Sequence, residues 1–397
     1  MPMRLTVPGL GTNDDLPLRK HQWQVDQTYR NLHAPDFYIG TVQHQNASTA
    51  LPLFINVNSV DVGVNYGVTD RFSLTLTLPF SYGTRSRTYP DGKRHTVSAG
   101  GLGDINLVGN LWLRNPASHP DGNLSLGLGM KTPSGNNAVN SAFEHPVDQS
   151  IELGDGAWGL IMQAQGYQKI SNRVSGYGYG LYLLSPKDTT NVISPYPGVP
   201  LSAPDVYSAR VGAGYALLPK QGFSVSFGPR IDGIPVRDLA GDSHGYRRPG
   251  YVLYLDPGIS MNRRRSTFTV NIPVRVYQDF QRSLVDIQLG KPGGGDFARV
   301  LFFLGYSVRF GGSTQRQQEL PAVRKDTQLS NSVPPPAAKV LQNSAATSNA
   351  PGGDFSAVNS SLETHRTFEG LPPSLCAARD GAFLSGSTFE TRIPESY

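Results

Sequence analysis

Residues 60–80 read VDVGVNYGVTDRFSLTLTLPF, and this stretch decides the fold class. Apolar side chains occupy every second position both before and after the turn at residues 67–70. A period of two places alternate side chains on opposite faces of a β-strand. The stretch therefore predicts two strands joined by a tight turn, each with one apolar and one polar face.

The same two-residue period recurs along the chain and predicts about twelve strands. An even number of strands of this length is typical of barrels that cross a bilayer. Besides the first hairpin, the alternation marks residues 23–31, 104–114, 123–131, 158–168, 175–184, 206–218, 223–227, 251–260, 267–277 and 297–310.

The connections alternate between short and long. Outer-membrane barrels have short periplasmic turns and longer extracellular loops, whereas a soluble sandwich has no reason to separate loop lengths by edge. The pattern predicts an all-β fold, a transmembrane up-and-down antiparallel β-barrel of about twelve strands. Short turns are predicted near residues 67–70, 115–122, 171–173, 219–222 and 262–265, and long gaps at 32–53, 84–102, 132–156, 185–204, 234–249 and 278–296.

The composition agrees with a barrel and excludes several other classes. Of the 397 residues only 38% are hydrophobic, and no apolar run approaches the roughly 18 residues that a transmembrane helix needs. The net charge is +5, but the basic residues are scattered, so no nucleic-acid partner is expected. The single cysteine, Cys376, excludes an internal disulfide framework.

The predicted last strand ends on the aromatic residue Phe310, with large apolar side chains on one face. It resembles the terminal strand by which the barrel-assembly machinery recognises outer-membrane barrels. The lipid bilayer and the barrel-assembly machinery are therefore expected partners. Membrane barrels also carry belts of aromatic side chains at the two membrane interfaces. The candidates for these belts are Trp23, Tyr66, Phe80, Trp158, Tyr306 and Phe310.

Five motifs, in this order, resemble an outer-membrane family named "MetA-pathway of phenol degradation", whose members are proposed transporters. The resemblance covers residues 22–310 and implies a barrel linked to the catabolism of aromatic or other small organic compounds. It supplies no catalytic residues. The motifs are YGVTDRFSLTLTLPF (66–80), GGLGDINLVGNLWL (100–113), GNLSLGLGMKTPSG (122–135), GDGAWGLIMQAQGYQ (154–168) and LDPGIS (255–260).

Two further segments flank the predicted barrel. Residues 1–21 lack the apolar core and cleavage site of a signal peptide, with which members of the resembling family normally begin. A mis-assigned start and a truncated chain both stay open as explanations. Residues 311–397 are rich in Ser, Pro, Ala, Gln and Asn without a sustained period, which predicts disorder. The expected location is the bacterial cell outer membrane.

Two stretches look like parts of enzymes. GDGAWG, at residues 154–159, spells G-x-G-x-x-G, but a polar segment precedes it and an alternating strand follows it, so no cofactor is expected. We expect its glycines to let a long loop re-enter the barrel wall. Ser243 and His244 are adjacent in a loop, where nothing orients them as nucleophile and base. A barrel hydrolase is thus the third hypothesis, and neither catalytic nor metal-binding residues are expected.

Polar residues that alternate with the apolar stripes are predicted to line the lumen. They allow two interpretations: paired charges that plug a structural or adhesive surface barrel with partner-binding loops, or a polar passage in which arginines favour anionic or hydrogen-bonding solutes. The second is our functional prediction, passive passage and uptake of small organic solutes, aromatic ones included. The predicted lining residues are Asp61, Asn65, Thr75, Asn106, Asn110, Gln163, Gln165, Arg210, Arg230, Asn271, Arg275 and Arg309.

Overall fold

A computed structural model describes residues 17–44, 53–194 and 196–311. These residues form a closed antiparallel β-barrel of twelve strands, which confirms the predicted fold class. Four of the strands are interrupted once. From first to twelfth, the strands are Gln22–Ala34, Phe54–Gly67, Phe72–Thr88, Arg94–Leu102 continued by Asn106–Trp112, Gly122–Lys131, Gly159–Lys169, Val174–Leu184, Val206–Leu218, Phe223–Phe227 continued by Pro229–Ile234, Gly250–Leu255 continued by Gly258–Arg263, Ser266–Asn271 continued by Val274–Phe280, and Val300–Gly311.

The barrel closes between its first and twelfth strands. They pair antiparallel from Gln22 opposite Gly311 to His33 opposite Val300, and every other strand pairs with its two neighbours in sequence. A closed sheet has no edge, so the wall satisfies its own backbone hydrogen bonds. This is a condition for crossing the hydrocarbon region of a bilayer.

Proline and glycine explain three of the interruptions. Pro257 and Pro273 have no N–H to donate to a neighbouring strand, so the tenth and eleventh strands break beside them. In the ninth strand, a Cβ added at Gly228 would lie 1.9 Å from the carbonyl oxygen of Val211. Only glycine therefore lets the two backbones approach this closely.

The two ends of the barrel differ in their connections. One end, here called the turn end, carries the chain entry at Gln22 and the short turns; the other, the loop end, carries the longer loops. The predicted long gap at 84–102 is wrong, because the third strand runs to Thr88 and the fourth begins at Arg94. Beyond Phe80 most outward positions are polar, so the apolar alternation stops although the strand pairing continues.

The outer face of the wall is apolar. In the fifth strand Leu124, Leu126 and Leu128 are 44%, 49% and 61% exposed, while Ser125 between them is fully buried. Repeated around the barrel, this surface would be a very large apolar patch in water, but it matches the lipid-facing band of a membrane barrel. The predicted outer-membrane location is confirmed by this architecture. No helix in the described ranges has the length and apolar character of a bilayer span.

The proposed interface aromatics lie mainly on the outer face. Trp23, Phe80, Trp158, Tyr306 and Phe310 are 37–58% exposed. Tyr66 is half-buried, with its ring centroid 4.5 Å from that of Trp23, which in turn pairs with Phe310 across the closure. These three residues therefore lie together at the turn end.

The described parts of the loops at the loop end contain little regular structure. A short hairpin, Tyr38–Ile39 with Val42–Gln43, follows the first strand, and a second, Thr189–Ile193 with Pro200–Ser202, follows the seventh. A single α-helical turn, Leu284–Gln288, precedes the twelfth strand, and a 3-10 turn, Pro219–Gln221, lies at the turn end. The tail predicted to be disordered, residues 311–397, lies outside the described residues apart from Gly311, which ends the twelfth strand. Residues 1–16 also lie outside them.

Candidate functional site

Near the turn end, polar side chains join neighbouring strands across the inner surface. Thr75 Oγ1 donates to Asn65 Oδ1 at 2.6 Å, Asn110 Nδ2 donates to Thr75 Oγ1 at 3.3 Å, and Gln163 Nε2 donates to Asn110 Oδ1 at 2.6 Å. On the other side, the Asn65 amide donates to the carboxylate of Asp26. From Asp26 the series continues to Gln24, whose Nε2 donates to Asp26 Oδ1 at 2.7 Å. It ends at Arg309, whose Nε donates to Gln24 Oε1 at 2.7 Å. We call these seven residues, Gln24, Asp26, Asn65, Thr75, Asn110, Gln163 and Arg309, the polar belt.

The polar belt passes over the fifth strand at a glycine. A Cβ added at Gly127 would lie 2.4 Å from Gln163 Cγ and 2.5 Å from Asn110 Oδ1. These distances are far below normal contact, so a larger residue would separate the two amides. Gly127 thus lets the side chains of the fourth and sixth strands bond directly.

The arginines of the lumen are matched by carboxylates. Arg210 Nε lies 3.0 Å from Asp256 Oδ2, and Arg230 Nε lies 2.9 Å from Asp232 Oδ2. All four side chains are at most 4% exposed. Because each positive charge has an adjacent negative one, the cluster presents little net field to an anion. Arg275 is likewise paired, at 3.0 Å, with Asp36 in the loop after the first strand.

The residues predicted to line the lumen alternate with exposed apolar residues along their strands. Arg275, for example, lies between Val274 and Val276, which are 43% and 55% exposed. Asp61 pairs with Arg30 at 2.7 Å. Of the twelve, Asp61, Asn106, Asn110, Arg210, Arg230 and Asn271 are buried, and Asn65, Thr75, Gln163, Gln165, Arg275 and Arg309 are half-buried.

Residues 132–158, which connect the fifth and sixth strands, fold inward at the loop end; we call them the lid. The lid residues Val147, Ile151 and Leu153 are at most 5% exposed and pack against Ala34 and Ile55, where the inner wall is apolar. Burial of each large side chain of this kind stabilises the packed state by roughly 1.5–3 kcal/mol. The lid is therefore held down mainly by apolar contact.

Arginines also hold the centre of the lid. Arg248 donates to both carboxylate oxygens of Asp148, at 2.9 and 2.8 Å, and Arg85 Nη2 lies 3.6 Å from the same carboxylate. Glu144 accepts hydrogen bonds from Arg85 and, at 2.9 Å, from Tyr89. Burial alone would raise the pKa of Asp148, but the charges of Arg248 and Arg85 outweigh it and hold the pKa well below its ordinary value.

A buried lysine anchors the end of the lid. Lys131 Nζ donates to Asp104 at 2.9 Å and to Asp155 at 2.6 Å, and these side chains are at most 3% exposed. Asp155 belongs to the GDGAWG stretch. Its neighbour Gly156 has φ +66°, and a Cβ at Gly154 would lie 2.5 Å from Asp104 Oδ1. The glycines of this stretch thus let the returning loop close onto Lys131.

Between the lid and the wall lies a cavity of about 80 Å³, here called the chamber. Its lining is largely apolar, with Leu32, Ile55, Phe280 and Phe297 among the contributors. Polar groups come from the lid and from Arg248 and Asp296. The chamber is larger than the ~30 Å³ share of one liquid water and far smaller than the ~300–1,000 Å³ sites that hold drug-sized ligands.

The pair Ser243 and His244 does not form a nucleophile and base. Ser243 Oγ donates to Asp238 Oδ2 at 3.2 Å, whereas His244 Nδ1 lies 3.0 Å from Asp188 Oδ2; within the described residues no hydrogen bond joins the serine to the imidazole. His244, Asp188 and Asp242 place their ligand atoms within 4.8 Å of one another. His244 and Asp242 are largely exposed, and a surface hydrogen bond between His244 and Asp188 accounts for the group.

Sequence reasoning missed the residues that hold the lid. If the alternation of the third strand is continued past Phe80, Arg85 falls on an inward position. The sequence could therefore have identified Arg85 as an inward residue. Asp148, Arg248 and Asp296 lie in loops, where no period marks an inward side chain. Their roles depend on contacts between loops that are distant in sequence.

The fold and its apolar outer wall define an outer-membrane β-barrel. No family model matches the chain, and neither does any curated protein. Among solved structures, the COG4313 outer membrane channel from Pseudomonas putida F1 is similar, with a TM-score of 0.53 and 15% identity over 76% of this chain and 100% of that chain. At this identity the similarity establishes the fold alone, so membership of the "MetA-pathway of phenol degradation" family stays a prediction.

Two other solved structures match more weakly. A Pseudomonas aeruginosa FadL homologue has a TM-score of 0.35 and 8% identity, over 73% of this chain and 90% of that chain. The CymD monoaromatic hydrocarbon channel has a TM-score of 0.36 and 9% identity, over 74% and 90%. These scores are too low to carry an argument about this chain.

Proposed function

We propose that the protein is an outer-membrane channel for passive passage and uptake of small organic compounds, aromatic ones included, that feed catabolism. The chamber is the observation that carries this proposal. A closed barrel that served only as a scaffold has no need for an apolar cavity beneath a loop that folds inward. Largely apolar walls with a few polar groups are the usual lining of a small-molecule site.

The chamber beneath the lid and the polar belt near the turn end suggest the route of a solute. A solute enters at the loop end when the lid moves, rests in the chamber and leaves past the polar belt at the turn end. Passage through the belt requires its amide and hydroxyl hydrogen bonds to part for a time. Each such neutral bond is worth only about 0.5–1.5 kcal/mol net, so water and a small solute can replace it.

The proposal is tested by solute flux through the full chain refolded into vesicles and planar bilayers. We expect small uncharged aromatic solutes to cross faster than through protein-free bilayers, with brief ion-conducting events. A variant that loosens the lid, Arg85→Ala with Arg248→Ala, is expected to lengthen these events. A folded barrel without flux, in both the native chain and this variant, would overturn the proposal.

The alternative is a structural or adhesive surface barrel with a plugged lumen and partner-binding loops. The packed lid and the mutually bonded, mostly half-buried polar belt favour it. It predicts no flux in the native chain or in the lid variant, so the same experiment separates the two functions. No observation in the described residues favours the barrel hydrolase.

A further inference from the structure

Asp296 places an incompletely bonded carboxyl group at the chamber. It lies in the loop before the twelfth strand, lines the chamber, and has a side chain only 1% exposed. Its Oδ2 accepts a hydrogen bond from the backbone N–H of Asp36 at 2.9 Å. Its Oδ1 has no hydrogen-bond partner within the described residues. A buried polar atom in this state is costly and calls for an explanation.

The nearby arginines do not supply the missing bond. Arg275 Nη1 is 3.7 Å from Asp296 Oδ1, beyond hydrogen-bond distance, and donates instead to the carbonyl oxygen of Phe297 at 2.6 Å. Its Nη2 donates to Asp36 at 3.0 Å. Arg248, the other cation at the chamber, uses both Nη atoms on Asp148. A small molecule in the chamber is thus a candidate partner for Oδ1.

The rest of the chamber suits one small ring. Phe280 and Phe297 lie with ring centroids 5.2 Å apart and planes tilted by 30°, and both line the chamber beside Leu32 and Ile55. At about 80 Å³ the chamber is smaller than the ~150 Å³ of an apolar cavity that binds benzene, so a single ring is the largest solute that it can take, and only with a small movement of the lid. Apolar and aromatic surface of this kind favours an uncharged ring over a charged one.

We propose that the chamber is a binding site for an uncharged single-ring molecule that carries one hydroxyl group, with the ring against Phe280 and Phe297 and the hydroxyl hydrogen-bonded to Oδ1 of Asp296. Asp296 is then a specificity-determining residue. The inference rests on the proposed function for its biological meaning, but binding is measured independently of flux.

The protonation state of Asp296 agrees with this choice of ligand. Burial raises the pKa of Asp296 to about 8, against the lowering effect of Arg275, so the carboxyl group is mainly protonated at pH 7. A hydroxyl group can accept a hydrogen bond from the protonated carboxyl group or donate one to the carboxylate. It can therefore supply the missing hydrogen bond of Asp296 in either protonation state. An anionic solute would instead bring a second charge into an apolar space where both arginines are already paired.

The test compares two ligands of nearly equal shape, benzyl alcohol and ethylbenzene. Binding of each radiolabelled compound to the folded full chain in detergent is measured by equilibrium dialysis against protein-free micelles. We expect benzyl alcohol to bind at least five-fold more tightly than ethylbenzene, and benzoate at least ten-fold more weakly than benzyl alcohol. Asp296→Leu is expected to abolish the preference while ethylbenzene still binds, and Asp296→Asn, which keeps hydrogen-bonding atoms, to retain most of it.

Asp121→Leu, which removes an exposed carboxylate at the turn end, is the matched control and is expected to bind like the native chain. Heat-modifiable mobility in gels verifies that each variant is folded. Equal affinity for the two ligands in the native chain, tighter binding of benzoate, or an unchanged preference in Asp296→Leu would overturn the inference, as would the absence of saturable binding. Flux without saturable binding would remove this inference alone, whereas Asp296-dependent binding without flux would remove the proposed function alone.

Discussion

Arg248 and Asp148, which are 100 positions apart in the chain, form a two-armed ion pair at 2.8 and 2.9 Å. Asp148 belongs to the lid between the fifth and sixth strands, and Arg248 to the loop before the tenth strand. The pair therefore joins two loops across the loop end of the barrel. Replacement of Arg248 removes this pair without changing a residue of the wall strands.

Replacing Arg248 by alanine is expected to increase the open fraction of the proposed channel. The ion pair is partly exposed on the arginine side, at 22%, so we assign its loss about 2 kcal/mol rather than the ~3–5 kcal/mol of a fully buried pair. A change of 2 kcal/mol shifts an equilibrium about 30-fold. Single-channel recording in planar bilayers measures this as open probability.

The matched control is Lys169→Ala, which removes an exposed ion pair with Asp121 at the turn end. Such pairs contribute ~0–1 kcal/mol, so its open probability should equal that of the native chain. Equal opening in Arg248→Ala and the native chain would show that the ion pair does not hold the lid.

The lid is expected to stay closed in mild acid. The pKa of Asp148 in the folded chain lies well below its ordinary value of 3.8, under the charges of Arg248 and Arg85. Its ion pairs thus contribute their full stability above about pH 5 and lose it only as the pH falls through the folded-state pKa. Open probability measured from pH 7 to pH 3 should remain flat to about pH 5. An opening midpoint between about pH 5 and 7 would contradict control of the lid by Asp148.

Replacing Lys131 by methionine is expected to destabilise the barrel strongly. The change leaves the carboxylates of Asp104 and Asp155 buried beside each other without their cation. Breaking a buried ion pair in this way costs about 3–5 kcal/mol. The midpoint of urea unfolding, followed by tryptophan fluorescence in detergent, should fall clearly. Lys169→Met serves as the exposed control, and similar midpoints for the two variants would contradict the expectation.

A charge on the outer face should be costly only if that face meets lipid. Leu126 is 49% exposed on the fifth strand, so Leu126→Arg causes little crowding. In lipid vesicles we expect it to reduce the free energy of unfolding by ~2–4 kcal/mol, the range for arginine near the bilayer midplane. Leu126→Val is the apolar control, and a difference below about 1 kcal/mol between the two would place the strand outside the hydrocarbon region.

The strands were predictable because their signal is local. Wherever one face of a strand meets lipid, apolar side chains recur at every second position, and all twelve wall strands carry enough of this signal to be found. The hairpin between Phe80 and Leu102 was missed because its polar outward residues break the alternation while backbone pairing continues. The break at Gly228 was interpreted as the end of a strand, and the break at Pro257 was not predicted. The continuation of a strand beyond a break depends on its pairing with neighbouring strands, which the sequence of one segment does not show.

The sequence by itself determined the fold class, the number of strands and the apolar outer face, since alternation and turn residues act over a few positions. The tertiary structure alone decided what the inward residues do. It paired Arg210 and Arg230 with Asp256 and Asp232, turned the lid inward onto Arg248, and left Asp296 incompletely bonded at the chamber. These contacts join residues far apart in the chain, and their partners are set by barrel closure and loop packing, for which no local pattern exists.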